Sequence, residues 1–140
     1  MQLKRVMSTD PEYVSPATPI GQVASMMKSR DIGMVLVAEN ERLVGTVTDR
    51  DIVIRGIAEG RDPRIAMTAD IMTSKPAYCF EDQDVSEAAR VMEQKQIRRL
   101  AILNRRKKLV GVVSLGDLAS RGGDETMSGE VLKFVARRAA

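Results

Sequence analysis

The chain has 140 residues, a formal net charge of +3, a single cysteine and no histidine. These counts exclude an intramolecular disulfide and a multi-cysteine zinc site, and they remove the usual proton shuttle and metal ligand. We therefore expect neither an enzyme, nor a required cofactor, nor a bound metal. Because no apolar run is long enough to span a bilayer, we expect a cytoplasmic protein without a membrane partner.

The chain contains an internal repeat. Six residues recur after 65 positions: Met7 as Met72, Pro11 as Pro76, Tyr13 as Tyr78, Ala24 as Ala89, Met27 as Met92 and Ile32 as Ile97. Farther along, the spacing becomes 66, which indicates one inserted residue near Lys107. Because insertions survive in surface turns, a turn is predicted there. We assign residues 1–62 to copy one, 63–122 to copy two and 123–140 to a tail.

Copy one has the pattern of a loop, a helix, two strands and a second helix. Thr18 followed by Pro19 predicts an N-cap and a first-turn proline, so a helix is expected to start near Pro19. Apolar residues at helical spacing from Ile20 form one face of this helix. Two short apolar runs predict a β-hairpin, and a further run at helical spacing predicts the second helix. These three segments are residues 34–38, 43–47 and 51–58.

Copy two repeats this pattern. Asp84 and Glu87 resemble a capping box in front of a helix that starts near Val85. Short apolar runs predict strands over residues 100–103 and 109–113. A second helix is expected after the last strand, as in copy one.

Positive charge is concentrated in the second half of the chain. Residues 1–70 have a net charge of −1, and residues 71–140 have a net charge of +4. Four basic residues at 105–108 occupy the predicted turn, where they suit either a solvated hairpin tip or a contact with nucleic acid. With two Phe, two Tyr and no Trp, the chain has few rings to stack on bases. Nucleic acid is therefore the less favoured partner.

The tail is predicted to form a short amphipathic helix. Its apolar stripe consists of Val131, Leu132, Phe134 and Val135. Such a stripe suits packing on the domain or on a second subunit.

A short motif, Gly-x-Val-[Thr/Ser]-x-x-Asp, occurs once in each copy, at residues 45–51 and 111–117. It lies where a predicted strand meets a predicted helix. A hydroxyl followed three residues later by a carboxylate is the ordinary way to cap a helix. The same helix start leaves N–H groups that favour a phosphate, and the carboxylate can accept the two hydroxyls of a ribose. Helix capping and nucleotide binding both explain the motif, and the two roles are compatible.

With this motif in both copies, and with the openings Val6-Met7 and Ile71-Met72, the chain resembles the tandem cystathionine-β-synthase (CBS) domain pair, or Bateman module, over about residues 3–122. The resemblance implies an α/β (α+β) fold of two pseudo-symmetric β-α-β-β-α repeats, packed through their sheets into one compact module. It also implies two clefts that bind adenine nucleotide, such as AMP, ADP or ATP, as a regulatory ligand. Such pairs often form homodimers, and we expect a sensor that modulates an unidentified protein or its own assembly.

The resemblance further implies which residues form each cleft. Ser114 is the phosphate-side hydroxyl and Asp117 the ribose acceptor of one cleft. Arg98 and Arg99 align with the position from which basic side chains reach phosphates in the gamma subunit of AMP-activated protein kinase. The other residues assigned to this nucleotide-binding cleft are Val14, Ser15, Thr18, Gly33, Met34 and Val113. The residues assigned to a second, weaker cleft are Thr48, Asp51, Cys79, Phe80 and Gln83.

The two clefts are expected to differ in affinity. Asp49 adds a carboxylate beside the Thr48 helix start, where it opposes a phosphate. Gly116 near Ser114 permits a close approach of the backbone, and Arg99 can pair with a phosphate bidentately. The alternative role for the two arginines is ion pairing with Asp or Glu at a solvated strand edge. The alternative function is an interaction, scaffold or nucleic-acid-associated protein whose clefts are empty.

Overall fold

The structure, a computed structural model, describes residues 1–122, 127, 129, 131, 133 and 134. The chain divides into two compact units. The repeat-one unit is Glu12–Pro76, and the repeat-two unit combines Met1–Pro11 with Ala77–Ala140. The boundaries of these units differ from the sequence division at residue 62. A short strand of copy one belongs to the sheet of the repeat-two unit, and a short strand of copy two belongs to the sheet of the repeat-one unit.

The described residues form two four-stranded sheets. After a 3₁₀ turn at Leu3–Arg5, the elements are, in chain order, β1 Ser8–Thr9, β2 Tyr13–Val14, α1 Ile20–Arg30, β3 Met34–Glu39, β4 Arg42–Thr48, α2 Asp49–Asp51 with a π-helical continuation Ile52–Ile57, α3 Thr68–Ile71, β5 Thr73–Ser74, β6 Tyr78–Phe80, α4 Val85–Lys95, β7 Arg99–Leu103, β8 Leu109–Ser114 and α5 Leu115–Arg121. The sheet of the repeat-one unit has the order β2-β3-β4-β5, and that of the repeat-two unit has the order β1-β8-β7-β6. The mixed α/β fold predicted from the sequence is confirmed.

Each unit is built on an antiparallel hairpin, β3–β4 or β7–β8, which confirms the predicted strands. The first hairpin turns at Asn40 and Glu41, whose φ angles of 53° and 64° lie in the left-handed region that a two-residue type I′ turn requires. The second hairpin has a longer loop, residues 104–108, in which Lys107 has a φ of 62°. The inserted residue therefore lies in a turn, as the change in repeat spacing predicts.

Two details of helix capping differ from the sequence prediction. Thr18 is not the N-cap of α1, because Pro19 is extended, with a ψ of 140°, and precedes the first helical residue. The Thr18 carbonyl instead accepts hydrogen bonds from the N–H and the hydroxyl of Thr68, at 2.8 and 2.7 Å. Asp84 does cap α4, by accepting from the Ser86 N–H at 3.0 Å. Glu87 pairs with Arg90 instead of closing a capping box.

Each unit has its own buried apolar cluster. In the repeat-one unit, α1 packs Ile20 and Val23 against strand residues such as Val37. In the repeat-two unit, the cluster includes Met92 and Leu100, among other residues. At about 25 cal/mol per Å² of apolar surface, such burial is the main favourable term in folding each sheet-and-helix layer.

Part of the tail is described. Residues 127, 129, 131, 133 and 134 are helical. Met127 and Phe134 are buried in the cluster of the repeat-two unit, and Val131 packs against that cluster. Leu132 and Val135, which complete the predicted stripe, lie outside the described residues. No helix in the described part of the chain is long and apolar enough to cross a membrane.

Candidate functional site

The two copies of the motif form the same capping box. In the repeat-two unit, Ser114 Oγ accepts from the Asp117 N–H at 3.0 Å, and Asp117 Oδ2 accepts from the Ser114 N–H at 2.9 Å. In the repeat-one unit, Thr48 and Asp51 exchange the same two hydrogen bonds, at 3.1 and 3.0 Å. The predicted capping role is therefore confirmed in both copies. Each capping box uses one oxygen of the Asp carboxylate, and it leaves the proton of the Ser or Thr hydroxyl available to donate.

The start of a strand lies beside each capping box. In the repeat-two unit, the Leu115 N–H donates to the Arg98 carbonyl at 2.9 Å, and Arg99 is the β7 residue opposite Ser114. In the repeat-one unit, the Asp49 N–H donates to the Gly33 carbonyl at 3.0 Å, and Met34 lies opposite Thr48. The structure thus places Arg98 and Arg99 beside Ser114, and their role in binding a ligand stays a prediction. We call the group of Arg98, Arg99, Ser114 and Asp117 the arginine corner.

The arginine corner carries two cations that have no side-chain partner among the described residues. Arg98 is exposed and Arg99 is half-buried. Within the described part of the chain, neither side chain forms an ion pair or a hydrogen bond. The alternative in which Asp or Glu neutralises them at a strand edge is therefore not found among these residues.

The corresponding corner of the repeat-one unit has the opposite character. The Asp49 carboxylate lies over Gly33, because a Cβ on that glycine would be 3.2 Å from Asp49 Oδ2. Asp49 Oδ1 accepts the Arg50 N–H at 2.9 Å, which holds the carboxylate in this position. An anion that approached the Thr48 helix start would therefore meet this negative charge. The carboxyl group explains why the two corners are chemically unequal.

The loop residues predicted for the Asp117 cleft lie in the repeat-one unit. Ser15 and Thr18 form a turn in which their hydroxyl oxygens are 3.3 Å apart, and Val14 pairs with Val37 in the sheet. The Val113 side chain is fully buried in the core of the repeat-two unit, and its predicted contribution to the cleft stays a prediction. The joint contribution of Val14, Ser15, Thr18, Gly33 and Met34 to the Asp117 cleft stays a prediction.

Three residues predicted for the weaker cleft have contacts within the repeat-two unit. The Cys79 side chain is buried in the core of the repeat-two unit. The Phe80 ring is covered by the Arg105 guanidinium, at 4.2 Å from the ring centroid, and Gln83 Oε1 accepts the Phe80 N–H at 2.8 Å. Arg105 also pairs with Asp82 at 2.9 Å. Sequence spacing gave no sign of this contact, because 23 residues separate the two partners of the ion pair.

Sequence reasoning also missed Arg55. Its Nη1 is 3.8 Å from Asp51 Oδ1 and donates to the Ile71 carbonyl at 3.2 Å. The spacing of four residues between Asp51 and Arg55 could have revealed the ion pair, since residues at i and i+4 are neighbours on a helix.

The Cys79 thiol is expected to resist thiol reagents in the folded protein. Burial, reinforced by the Glu87 carboxylate, raises the pKa of Cys79 from its ordinary value of 9.0 to about 11. Only the thiolate is a good nucleophile, so a disulfide reagent at pH 8 should react slowly in native buffer and fully in denaturant. A native reaction as fast as that of a free thiol would contradict the burial. Because the unfolded chain ionises first, the free energy of unfolding should fall as the pH rises from 9 towards 11.

Two β-α-β-β-α repeats, each with a hydroxyl-x-x-carboxylate cap at its second helix, define a tandem CBS pair. A family model described as CBS domain matches residues 3–56 and 69–123, and the chain belongs to this family. The resemblance inferred from the sequence is thereby confirmed.

Relatives and solved structures agree with this assignment. The chain is 36% identical to CBS domain-containing protein YhcV of Bacillus subtilis (strain 168), over 97% of this chain and 96% of that protein. It is 32% identical to Hypoxic response protein 1 of Mycobacterium tuberculosis (strain ATCC 25618 / H37Rv), over 81% of this chain and 80% of that protein.

A crystal structure of Hypoxic Response Protein I with two coordinated zinc ions has a TM-score of 0.79 and 30% identity, covering 86% of this chain and 98% of that chain. The CBS domain protein PAE2072 from Pyrobaculum aerophilum, complexed with AMP, has a TM-score of 0.77 and 23% identity, covering 95% of this chain and 99% of that chain. At 23% identity, the similarity to PAE2072 shows only that the two proteins share a fold.

Proposed function

We propose that this CBS-pair protein is a regulatory sensor of adenine nucleotide, with its stronger site at the arginine corner. The observation that carries the proposal is the pair of arginines, unpartnered in the described part of the chain, beside the Ser114 hydroxyl and the Asp117 carboxylate. Arg98 and Arg99 would bind phosphate, Ser114 would donate to it, and Asp117 would accept the ribose hydroxyls. The AMP held by PAE2072, a protein of the same fold, supports this ligand class.

The proposal concerns nucleotide and not zinc. The zinc ions of Hypoxic Response Protein I belong to that protein, whereas this chain has no histidine and one cysteine, which is buried. Within the described residues, no group of three or more Cys, Asp or Glu side chains is placed to hold a metal ion. Zinc sites in proteins are built chiefly from cysteine and histidine. The sequence therefore favours an organic anion as the regulatory ligand.

The site at Thr48 and Asp51 is proposed to bind the same ligand more weakly, because Asp49 opposes a phosphate there. A ligand regulates by its difference in affinity between two states of the protein or its assembly. Nucleotide binding would thus modulate a partner protein or the assembly of the chain itself.

Titration with adenine nucleotides tests the proposal directly. We expect AMP, ADP or ATP to raise the melting temperature of the wild type, since ligand at about 100 times its Kd adds about 2.7 kcal/mol of stability. Asp117→Asn keeps the shape of the side chain and an acceptor for the cap, yet it removes the charge that attracts the ribose hydroxyls. We expect this variant to bind at least about tenfold more weakly, which corresponds to one charged hydrogen bond.

Guanine nucleotides are the matched control for this titration. They offer the same phosphates and ribose, so any difference in affinity from the adenine nucleotides measures the contribution of the base. The proposal fails if no adenine nucleotide changes the melting temperature of the wild type. It also fails at this site if Asp117→Asn binds as tightly as the wild type does.

We also propose that the protein forms a homodimer through the repeat-one unit. The helical segment after α2 exposes Val53, Ile54 and Ile57 at 55%, 47% and 54%, and Ile65 of the same unit is 74% exposed. The positions in α5 that correspond to the first two are Ala119 and Ser120. Because exposed large apolar side chains mark interaction sites, we propose a second chain as their partner.

The double variant with Ile54→Glu and Ile57→Glu is expected to be a monomer. Two carboxylates in an apolar interface would each lose their hydration without gaining a partner. Sedimentation equilibrium of the wild type and the variant measures the difference. Ala119→Glu, at the position that corresponds to Val53, is the matched control and should stay dimeric. A wild type that is monomeric at high concentration would contradict the proposal, as would a dimeric double variant.

A further inference from the structure

The Arg55 side chain connects Asp51 with the segment that enters β5. Its Nη1 donates to the carbonyls of Ile71 and Met72, at 3.2 and 3.4 Å, and to the Thr73 hydroxyl at 3.4 Å. The same nitrogen is 3.8 Å from Asp51 Oδ1. One guanidinium group therefore contacts the acidic residue of the motif, two successive main-chain carbonyls and the side chain of the next residue.

The two oxygens of Asp51 have different partners. Oδ2 accepts the Thr48 N–H at 3.0 Å in the capping box, whereas Oδ1 faces Arg55. The Asp51 side chain is only 13% exposed, so few water molecules share its charge. A ribose hydroxyl that donates to Asp51 would therefore use the oxygen that attracts Arg55.

The segment that Arg55 binds has few other attachments. β5 is a two-residue edge strand, and it pairs with β4 only at Gly45 and Thr46. Ile71 anchors the preceding residues in the core of the repeat-one unit, but Thr73 and Ser74 are exposed. Hydrogen bonds from Arg55 to this segment therefore contribute to holding β5 in the sheet.

The equivalent residue of copy two provides an internal comparison. Arg121 lies 66 positions after Arg55, and it follows Asp117 by the same four residues. Within the described part of the chain, Arg121 forms no side-chain hydrogen bond or ion pair. Both copies have the arginine, but only in the repeat-one unit do the described residues show it bridging a motif carboxylate and an edge strand.

We propose that Arg55 is a positioning residue that couples occupancy of Asp51 to the edge strand β5, an inference that rests on the proposed nucleotide site at Thr48 and Asp51. In the free protein, the Arg55 guanidinium interacts both with the negative charge on Asp51 Oδ1 and with the carbonyls of Ile71 and Met72. Ligand hydroxyls that donate to Oδ1 take up part of the carboxylate charge. The guanidinium then donates more fully to the carbonyls, and β5 is held more firmly.

Hydrogen exchange at β5 tests the coupling. Neighbouring amides of an antiparallel strand point in opposite directions, so one of the Thr73 and Ser74 amides faces β4 and the other faces away from it. We expect saturating AMP to slow exchange of the amide that faces β4 by roughly two- to tenfold in the wild type, the effect of strengthening one hydrogen bond. Arg55→Gln should lose this response while calorimetry still detects two equivalents of bound AMP. Arg55→Lys, which keeps a cation and its donors, should retain part of the response. Arg121→Gln is the matched control and should respond as the wild type does.

The outcomes separate this inference from the function on which it rests. If AMP, ADP and ATP all fail to bind the wild type, the proposed function fails and the coupling fails with it. If two equivalents of AMP bind but exchange in the wild type does not slow, or if Arg55→Gln still shows the full slowing, the coupling is wrong and the nucleotide site at Thr48 and Asp51 stands. If only one equivalent binds, at the arginine corner, the proposed second site fails and the coupling fails with it. Asp51→Asn should abolish the response as Arg55→Gln does, and an intact response would likewise overturn the coupling.

Discussion

Replacing Gly111 with alanine is expected to lower the free energy of unfolding by about 1–3 kcal/mol, the usual cost of overpacking a tightly packed position. A Cβ at Gly111 would lie 2.5 Å from Met7 Sδ and 2.9 Å from the Ser8 carbonyl oxygen. The sulfur could move with its flexible side chain. The carbonyl belongs to β1, which pairs with β8 at Ser8–Val112 and Thr9–Gly111. The added methyl group must therefore displace the edge strand, and urea denaturation would measure the loss.

The repeat supplies both a replicate and a control for this prediction. Gly45→Ala should cost a similar amount, because its Cβ would lie 2.7 Å from Met72 Sδ and 2.9 Å from the Thr73 carbonyl oxygen. Gly116→Ala, whose Cβ would be 3.7 Å from Ser114 Oγ, should be neutral or slightly stabilising in α5. If Met7→Ala fully rescued Gly111→Ala, the backbone contact would be unimportant. A Gly111→Ala protein as stable as the wild type would contradict the packing argument altogether.

These glycines show what the sequence could predict and what it could not. The motif predicted the strand-to-helix junction and the capping box, because those interactions join residues within three positions of one another. It gave no physical reason for Gly45 or Gly111, whose neighbours Met72 and Met7 come from distant segments. The repeat had already paired these two methionines across 65 positions, yet it said nothing about the strands that follow them. Two-residue strands have no alternating pattern that could reveal their partners.

The side-chain contacts show the same limit. The change in repeat spacing placed a turn near Lys107, and the left-handed φ of that residue confirms it. The sequence could not show that Arg105, beside that turn, covers Phe80 and pairs with Asp82. Local rules also failed at Thr18, where a favourable N-cap residue precedes a proline. Its carbonyl bonds to Thr68, 50 residues away, and the helix begins after Pro19.

Exchanging the arginine pair for its copy-one counterparts is expected to weaken nucleotide binding at the arginine corner by roughly 10- to 100-fold. The double variant has Arg98→Gly and Arg99→Met, which are the residues found at positions 33 and 34. One charged hydrogen bond contributes about 1.5–3 kcal/mol, and about 1.4 kcal/mol corresponds to a tenfold change in Kd, so the expected loss corresponds to one such bond. Isothermal titration calorimetry would measure the loss, and the dependence of Kd on salt should weaken as well, because fewer charges contact the phosphate.

The control for this exchange removes the same charge elsewhere. Arg106→Met with Lys107→Met changes two exposed residues of the β7–β8 loop, at the opposite end of β7 from Arg99. The five residues of β7 rise about 3.3 Å each, so this loop is farther from the corner than the roughly 10 Å over which charges are screened at 0.1 M salt, and the Kd should stay within about twofold. An equal loss in both double variants would show that net charge, and not the arginine corner, governs binding. Unchanged affinity in the arginine variant would show that neither arginine binds the phosphate.

The reverse exchange tests the same physical cause from the other corner. Asp49→Leu gives the repeat-one unit the residue that copy two has at position 115. It removes the carboxylate that lies over Gly33 and leaves the Thr48–Asp51 capping box in place. We therefore expect a second equivalent of nucleotide to bind more tightly in this variant. If affinity at the second site does not rise, the repulsion by Asp49 is not what makes the sites unequal, and their difference lies in the arginines alone.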